Sequence, residues 1–359
     1  MKDLTHWLAL ALAPGVGSIL FKRLLEAFGS PREALRASFR ELKQVDGIGP
    51  KVAAGIRRFD WEPRVEKELR EAERAGVHLI TWEDGAYPLL LKEIYDPPPL
   101  LYVSGSVLAQ DGLAVAVVGS RNPTSYGQAA AERLARDLGR RGATVVSGLA
   151  RGIDSCAHRG ALSGGGRTIG VLGCGIDVVY PPENEELYAQ VAAQGAVISE
   201  FPLGTPPESD HFPIRNRVIS GLSRGVAVVE ATLHSGSLIT AHLALDQGRE
   251  VYAVPGNVDS ARSQGTNRLI KEGARLVSGA DDILEDLRPS TREPLVQPPP
   301  PCLSEEENRV LSALSWEAVH IDQVIAKSGL PSPRVSALLL SLELNGHVRQ
   351  FPGKRFARM

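Results

Sequence analysis

Three guanidinium groups and one ring are the side chains best suited to chemistry in this chain of 359 residues. Arg121 closes the run Val117-Val118-Gly119-Ser120-Arg121. Arg215 and Arg217 lie in Phe212-Pro213-Ile214-Arg215-Asn216-Arg217, where Phe212 stands out in a protein with only 5% aromatic residues. Arginine holds phosphate through a bidentate fork, and an aromatic face stacks on a base. Arg beside a ring is therefore the minimum needed to hold a single strand. The competing reading puts Phe212 in the core and pairs one Arg with Glu200 or Asp210. Gly/Ser turns recur nearby: Gly119-Ser120, then Ser147-Gly148 ahead of Arg151, then Gly173-Cys174-Gly175, then Ser235-Gly236-Ser237. Such turns let backbone amides approach an anion, and the last opens a helix whose N-terminus adds to the same site.

Catalytic patterns are few. Asp154 and His158 are four apart on one helix, and Glu200, Asp210, His211, Glu230 and His234 fall near strand ends, so acid/base work on a nucleotide or glycosidic bond stays open. No G-x-S-x-G, Walker A, H-E-x-x-H or paired-carboxylate signature occurs. G-x-G-x-x-G is missing too, and no acidic residue ends the second strand to hold a ribose, which speaks against a nicotinamide or flavin enzyme. Cys156, Cys174 and Cys302 form no C-x-x-C pair. No structural zinc, disulfide framework or cofactor is expected, and a reducing, cytoplasmic setting follows.

The elements that must position these residues alternate. Strand-like runs at 114–118, 144–147, 168–172, 196–199, 225–230, 250–254 and 274–277 interleave with helical stretches at 127–141, 153–162, 185–193, 215–222, 238–247 and 267–272. Short connections between them predict an α/β fold, a doubly wound Rossmann-like parallel sheet. Ligands on such sheets bind at the carboxyl ends of the strands, where the Gly, Ser and Arg residues sit.

Modules flank this core. Pro14-Gly15-Val16-Gly17 and Asp46-Gly47-Ile48-Gly49 look like two helix–hairpin–helix turns, the second with Leu42, Val45, Ala53 and Ile56 as its packing face. Residues 15–58 carry nine Lys/Arg against four acids, Lys51 among the former. They form either a DNA-contacting module or a helical packing domain whose glycines only make a corner. At the other end, Ser304 and Glu307 form a capping box. Three helical stretches and a basic hairpin with Lys354 and Arg355 then predict a winged helix. DNA contact and protein contact both fit it.

Bulk composition excludes more than it proposes. Forty Lys+Arg against 42 Asp+Glu give a net charge of −2, so no diffuse electrostatic coating of nucleic acid or membrane is expected. No apolar run reaches the ~18 residues of a membrane span. The opening residues read as a helix, not a secretory signal, because Asp3 and His6 precede Leu8 and no A-x-A site follows.

The quoted motifs, in order, resemble the DNA-processing protein A family (DprA/Smf). They are Val117 to Arg121, Ser147 to Asp154, Phe212 to Arg217, Ser235-Gly236-Ser237-Leu238-Ile239-Thr240-Ala241, Pro255-Gly256-Asn257 and Gly265-Thr266-Asn267 with Leu269, Ile270, Gly273 and Ala274. The resemblance implies a protein that binds single-stranded DNA without reading sequence, protects incoming strands in natural transformation and loads the RecA recombinase. It implies a homodimer through the later Rossmann-like segment; Leu269 and Ile270 are candidates for its surface, and packing on their own sheet fits them equally. It implies no catalytic residue. The expected DNA site is Gly119, Ser120, Arg121, Ser147, Gly148, Arg151, Phe212, Arg215, Asn216, Arg217, Ser235, Gly236 and Ser237. Expected segments are a helix–hairpin–helix/SAM-like domain at 1–62, the Rossmann-like domain with its lead-in at 63–288, a Pro-rich linker at 289–303 and a winged-helix-like domain at 304–359. Lys51, Lys354 and Arg355 are secondary DNA candidates, duplex DNA included. The alternative is a nucleotide- or phosphoribosyl-processing enzyme on the same fold.

Overall fold

The structure, a computed structural model, describes residues 3–287, 303–316, 318–345 and 347–358, the side chain of Leu344 excepted. The Pro-rich run at 289–301 and Cys302 lie outside the described residues. Two compact units result, divided between Pro289 and Ser290.

The first unit opens with six helices, α1 (Leu4–Ala11), α2 (Ser18–Phe28), α3 (Pro31–Arg36), α4 (Phe39–Leu42), α5 (Pro50–Arg58) and α6 (Trp61–Arg74). Both expected hairpin turns form. Gly15 joins α1 to α2 at φ 81°, and Gly47 precedes α5 at φ 82°, conformations that a side chain would strain. Phe21, Leu24, Leu42, Ala53 and Ile56 are buried together, as a shared packing face requires. This cluster continues without a break onto Tyr102, Leu149 and Leu172 of the sheet region. The buried carboxylate of Glu68 accepts from Tyr102 Oη at 2.9 Å and from the Leu203 amide at 2.7 Å, so α6 is pinned to the sheet. The position 62/63, expected as a boundary, falls inside α6.

There follow β1 (His78–Thr81), α7 (Leu89–Lys92), β2 (Leu100–Gly105), β3 (Ala114–Gly119), α8 (Ser125–Arg140), β4 (Thr144–Ser147), α9 (Ile153–Ser163), β5 (Thr168–Val171), α10 (Glu185–Gln194) and β6 (Ala196–Ser199). Next come α11 (His211–Gly221), β7 (Gly225–Val229), α12 (Gly236–Asp246), β8 (Glu250–Ala253), α13 (Gln264–Lys271), β9 (Arg275–Leu276) and α14 (Ala280–Leu287). Among the described residues one sheet runs β1-β2-β6-β5-β4-β3-β7-β8-β9. From β6 to β9 all pairings are parallel, and helices cover both faces. That is why the strands read as unbroken apolar runs. The sheet is mixed at one edge: β2 pairs antiparallel with β6, and β1 antiparallel with β2. These two strands come from the lead-in, before the alternating α/β series begins.

The second unit holds α15 (Glu305–Ala313), β10 (Val319–His320), α16 (Ile321–Ser328), α17 (Ser332–Leu344), β11 (Val348–Phe351) and β12 (Arg355–Arg358). Val310, Val324, Val335, Leu339, Leu342 and Phe356 form its own core. Ser304 and Glu307 make the expected capping box. Three helices and a three-stranded sheet, ordered β10-β12-β11, make a winged helix.

Candidate nucleic-acid interface

The strand order fixes where a ligand can enter. From β3 the chain builds outward through β4, β5 and β6, then returns to place β7 on the other side of β3. Helices diverge at such a reversal and leave a crevice at the carboxyl ends of the strands. A cleft of about 650 Å³ opens there. Gly119, Ser120 and Arg121 line it after β3, and Phe212, Arg215 and Asn216 line it from α11. Ser235, Gly236 and Ser237 close it at the start of α12.

Helix α11 brings the ring and one arginine together and sends the other away. Positions 212, 215, 216 and 219 share a face at helical spacing, and all four line the cleft. The guanidinium carbon of Arg121 lies 5.2 Å from the centroid of the Phe212 ring, and that of Arg215 lies 5.9 Å from it. Arg121 is exposed, and among the described residues no carboxylate pairs with it. Arg215 is buried at 4% exposure, donating to the Gly148 carbonyl at 2.7 Å and to that of Val171. Burial lowers its pKa to about 10, which leaves it charged at neutral pH. A Cβ on Gly148 would sit 2.5 Å from this guanidinium, so a side chain there would displace the tip of Arg215.

Arg217 corrects the expectation that all three arginines face the ligand. Two positions beyond Arg215 is about 200° around a helix. Its side chain therefore points away from the cleft, pairing with Glu200 and with Asp96 at 3.2 Å. It also reaches the Asp96 carbonyl at 2.6 Å and Ser18 Oγ of α2 at 3.3 Å. This is the pairing with Glu200 that the competing reading allowed. Burial, with Asp96 adding to it, raises the pKa of Glu200 to about 7 against the opposing pull of Arg217. A carboxyl whose folded pKa exceeds its ordinary 4.5 holds its proton longer in the native state. Its contribution to stability thus declines as pH rises from 4.5 toward 7. Glu200→Gln is expected to flatten the pH dependence of the melting temperature across that window.

The turn after β4 also differs from expectation. Ser147 is fully buried, and its hydroxyl donates to the Val117 carbonyl at 2.7 Å, so it cannot reach a ligand. The Gly148 amide is taken by Asp154 Oδ2 at 3.1 Å. Gly152 sits at φ 79°, and a Cβ there would meet the Ser120 carbonyl oxygen at 2.4 Å. This close approach brings the β3 and β4 turns together. Arg151 is exposed at the rim, held by Glu183 through Nε and through Nη2 at 3.1 Å. A phosphate at this rim must compete with Glu183. Glu183→Gln is expected to tighten oligo-dT binding roughly two- to fivefold, the worth of an exposed pair, in an anisotropy titration at low salt.

Three of the candidate acids and bases are engaged within the fold. Glu230, at φ 50° after β7, accepts from the Thr124 amide at 2.8 Å and from the Thr124 hydroxyl, fixing the start of α8. Asp154 reaches the cleft floor, and burial raises its pKa while the Arg215 charge opposes. His158 is buried against Thr168 Oγ1 at 2.7 Å rather than paired with Asp154. Burial, reinforced by Arg215, drops its pKa to about 3, so the imidazole is neutral.

The remaining candidates divide. Ser235 caps α12, and its hydroxyl meets that of Ser237 at 2.8 Å. Lys51 is exposed in a second groove beside Gly15 and Arg58, away from the cleft residues. Lys354 and Arg355 are exposed on the winged-helix hairpin. Leu269 is buried in its own sheet core, and Ile270 packs half-buried on the same cluster. Leu269 therefore offers no surface to a partner subunit. Tyr180 and Ser209 line the cleft without having been anticipated. Tyr180 lies in a loop, where no periodicity marks it, yet its ring centroid is 5.7 Å from that of Phe212.

Comparison with known proteins agrees with this architecture segment by segment. Residues 78–288 match the family described as DNA recombination-mediator protein A, residues 293–354 its winged-helix domain, and residues 7–68 a helix-hairpin-helix motif. "Protein Smf" of Synechocystis sp. is 36% identical, over 99% of both chains. The crystal structure of DNA processing protein A from Streptococcus pneumoniae superposes with a TM-score of 0.71 at 36% identity, covering 80% of this chain and 99% of that one. The same-named protein of Helicobacter pylori, studied for its single-stranded DNA binding mode, gives 0.53 at 32% identity, with 58% and 95% covered. With the sheet, both flanking modules and an end-to-end relative all in register, the chain belongs to the DNA recombination-mediator protein A family.

Proposed function

We propose that this protein binds single-stranded DNA in the cleft at the β3/β7 reversal, without reading sequence, and there protects incoming strands and presents them to RecA in natural transformation. The observation that carries the reading is Arg121, exposed and without a carboxylate partner, over the ring of Phe212 in an open cleft. A cation beside a ring takes one phosphate and one base of any identity. The single-stranded DNA binding of the H. pylori relative supports the same assignment.

A binding role is favoured over catalysis by the state of two of the candidate acids and bases. Glu230 is tied to Thr124, and His158 is neutral and fully buried. Among the described residues, no group of His, Cys, Asp and Glu is placed to hold a metal ion. No described helix is long and apolar enough to cross a membrane. We place the activity in the cytoplasm, where RecA and the incoming strand meet. Homodimerisation belongs to the proposal as well, because two clefts on one strand make attachment bivalent. With Leu269 buried, Ile270 and the exposed Leu276 on edge strand β9 are the surface for it. Leu276→Glu is expected to shift the protein toward monomer in sedimentation velocity.

The test is an anisotropy titration of oligo-dT and a mixed-sequence oligonucleotide of equal length at two salt concentrations. Similar affinities for the two, both weakened by salt, are expected. Base or phosphate release from nucleotides, abolished by Glu230→Gln, would instead establish the enzymatic alternative.

A further inference from the structure

The winged-helix unit distributes its charge unevenly. In such units the third helix ordinarily enters a DNA groove. Here that helix is α17, and its one cation, Arg334, is bound to Glu306 through Nη2 at 2.6 Å and Nε at 2.7 Å. What α17 shows to solvent beyond it is hydroxyls and hydrocarbon, as at Ser336, Ala337 and Leu340, and the half-exposed carboxylate of Glu343. A helix so equipped has nothing with which to neutralise backbone phosphate.

The cations stand on the hairpin instead. Phe351 pairs opposite Arg355, and Arg349 opposite Ala357. Opposed residues and residues two apart along a strand share one face. Arg349, Phe351 and Arg355 therefore lie together on the outer face, while Val348 and Phe356 turn the other face into the core. The Arg349 guanidinium carbon is 5.8 Å from the centroid of the Phe351 ring. Phe351 is 38% exposed and takes no part in the unit's hydrophobic cluster. Lys354 adds a further cation at the tip, at φ 54°. Among the described residues no carboxylate pairs with Arg349, Lys354 or Arg355.

We propose that this face of the wing is a second contact for single-stranded nucleic acid, with Arg349 and Arg355 on the backbone and a base stacked on Phe351. The choice of a single strand over a duplex follows from the ring. Bases inside a duplex are already stacked, whereas every unpaired base has a free face for Phe351. The inference deepens the reading of the cleft, because two contacts on one chain make the second attachment intramolecular. It rests on different residues, so the two can fail separately.

The experiment uses the full chain and oligo-dT of about six and about forty nucleotides, lengths that engage one contact and both. Phe351→Ala and Arg349→Ala/Arg355→Ala are expected to lower affinity for the long strand roughly tenfold, the size of one lost base stack, and to leave the hexamer unchanged. Ultraviolet crosslinking followed by peptide mapping should place a thymine on Phe351. Unaltered affinity at both lengths overturns the proposal. So does a loss confined to duplex DNA, which would make the wing a duplex contact. Failure of the cleft reading has another signature: Arg121→Ala would leave hexamer affinity intact, and the crosslink at Phe351 would be scored independently.

Discussion

Replacing Arg121 and Phe212 together with alanine is expected to lower affinity for oligo-dT by a factor of roughly 100 while leaving the fold intact. Stacking on an aromatic ring is worth ~1–3 kcal/mol per base, and a tenfold change in affinity is about 1.4 kcal/mol. Arg121 adds a charge-assisted phosphate contact to that. The fold should tolerate both changes for visible reasons. Arg121 is exposed and bonded to no carboxylate among the described residues, and Phe212 is only half-buried at the cleft wall. Anisotropy and calorimetry on the same preparation check the two halves of this expectation. A large loss of melting temperature would show that Phe212 belongs to the core, as the competing sequence reading had it.

Arg217→Ala should do the opposite, costing stability first and affinity second. Removing one partner of a buried ion pair typically costs ~3–5 kcal/mol, because the other charge is left behind. Here the acid pair Glu200 and Asp96 would lose its shared cation, and burial would hold Glu200 in its protonated form. For a unit of this size the melting temperature should drop by roughly 6–20 °C. Without the cation Glu200, already raised to about 7, takes up a proton at neutral pH, so the loss should deepen as pH rises above 7, and adding Glu200→Gln should remove that dependence, which separates the electrostatic cost from lost packing. Where Arg217→Ala remains folded, its oligo-dT affinity should exceed that of Arg121→Ala. An Arg217→Ala protein of normal stability and abolished binding would return Arg217 to the site.

The contrast between these arginines shows what could be read from sequence. The alternation of apolar runs and helical stretches placed β3 to β8 within a residue or two, since buried parallel strands and their crossover helices announce themselves by pattern. The lead-in strands β1 and β2 escaped because they join the sheet edge antiparallel, outside that rhythm. The cleft followed from the same rhythm, because strand ends are where Gly, Ser and Arg collect. Its finer division did not. Phe212-Pro213-Ile214-Arg215-Asn216-Arg217 gives no hint that the helix begins at His211, and it is that phase which turns Arg215 inward and Arg217 toward Asp96. Ser147 was placed at the end of its strand, as found, but the pattern gives no sign that its hydroxyl turns inward and is satisfied by the Val117 carbonyl of β3. Tyr180 had no periodic neighbour to mark it, and only the folded loop sets it beside Phe212.

The central claim is that an unpaired arginine at the β3/β7 reversal holds a strand by its phosphate. The salt dependence of oligo-dT binding tests it most directly. Log affinity should fall linearly with log salt, and Arg121→Ala should make the slope shallower by about 0.7, one single-strand phosphate contact. The slope for Arg217→Ala should match wild type. An Arg121→Ala protein with unchanged affinity and unchanged slope would contradict the account.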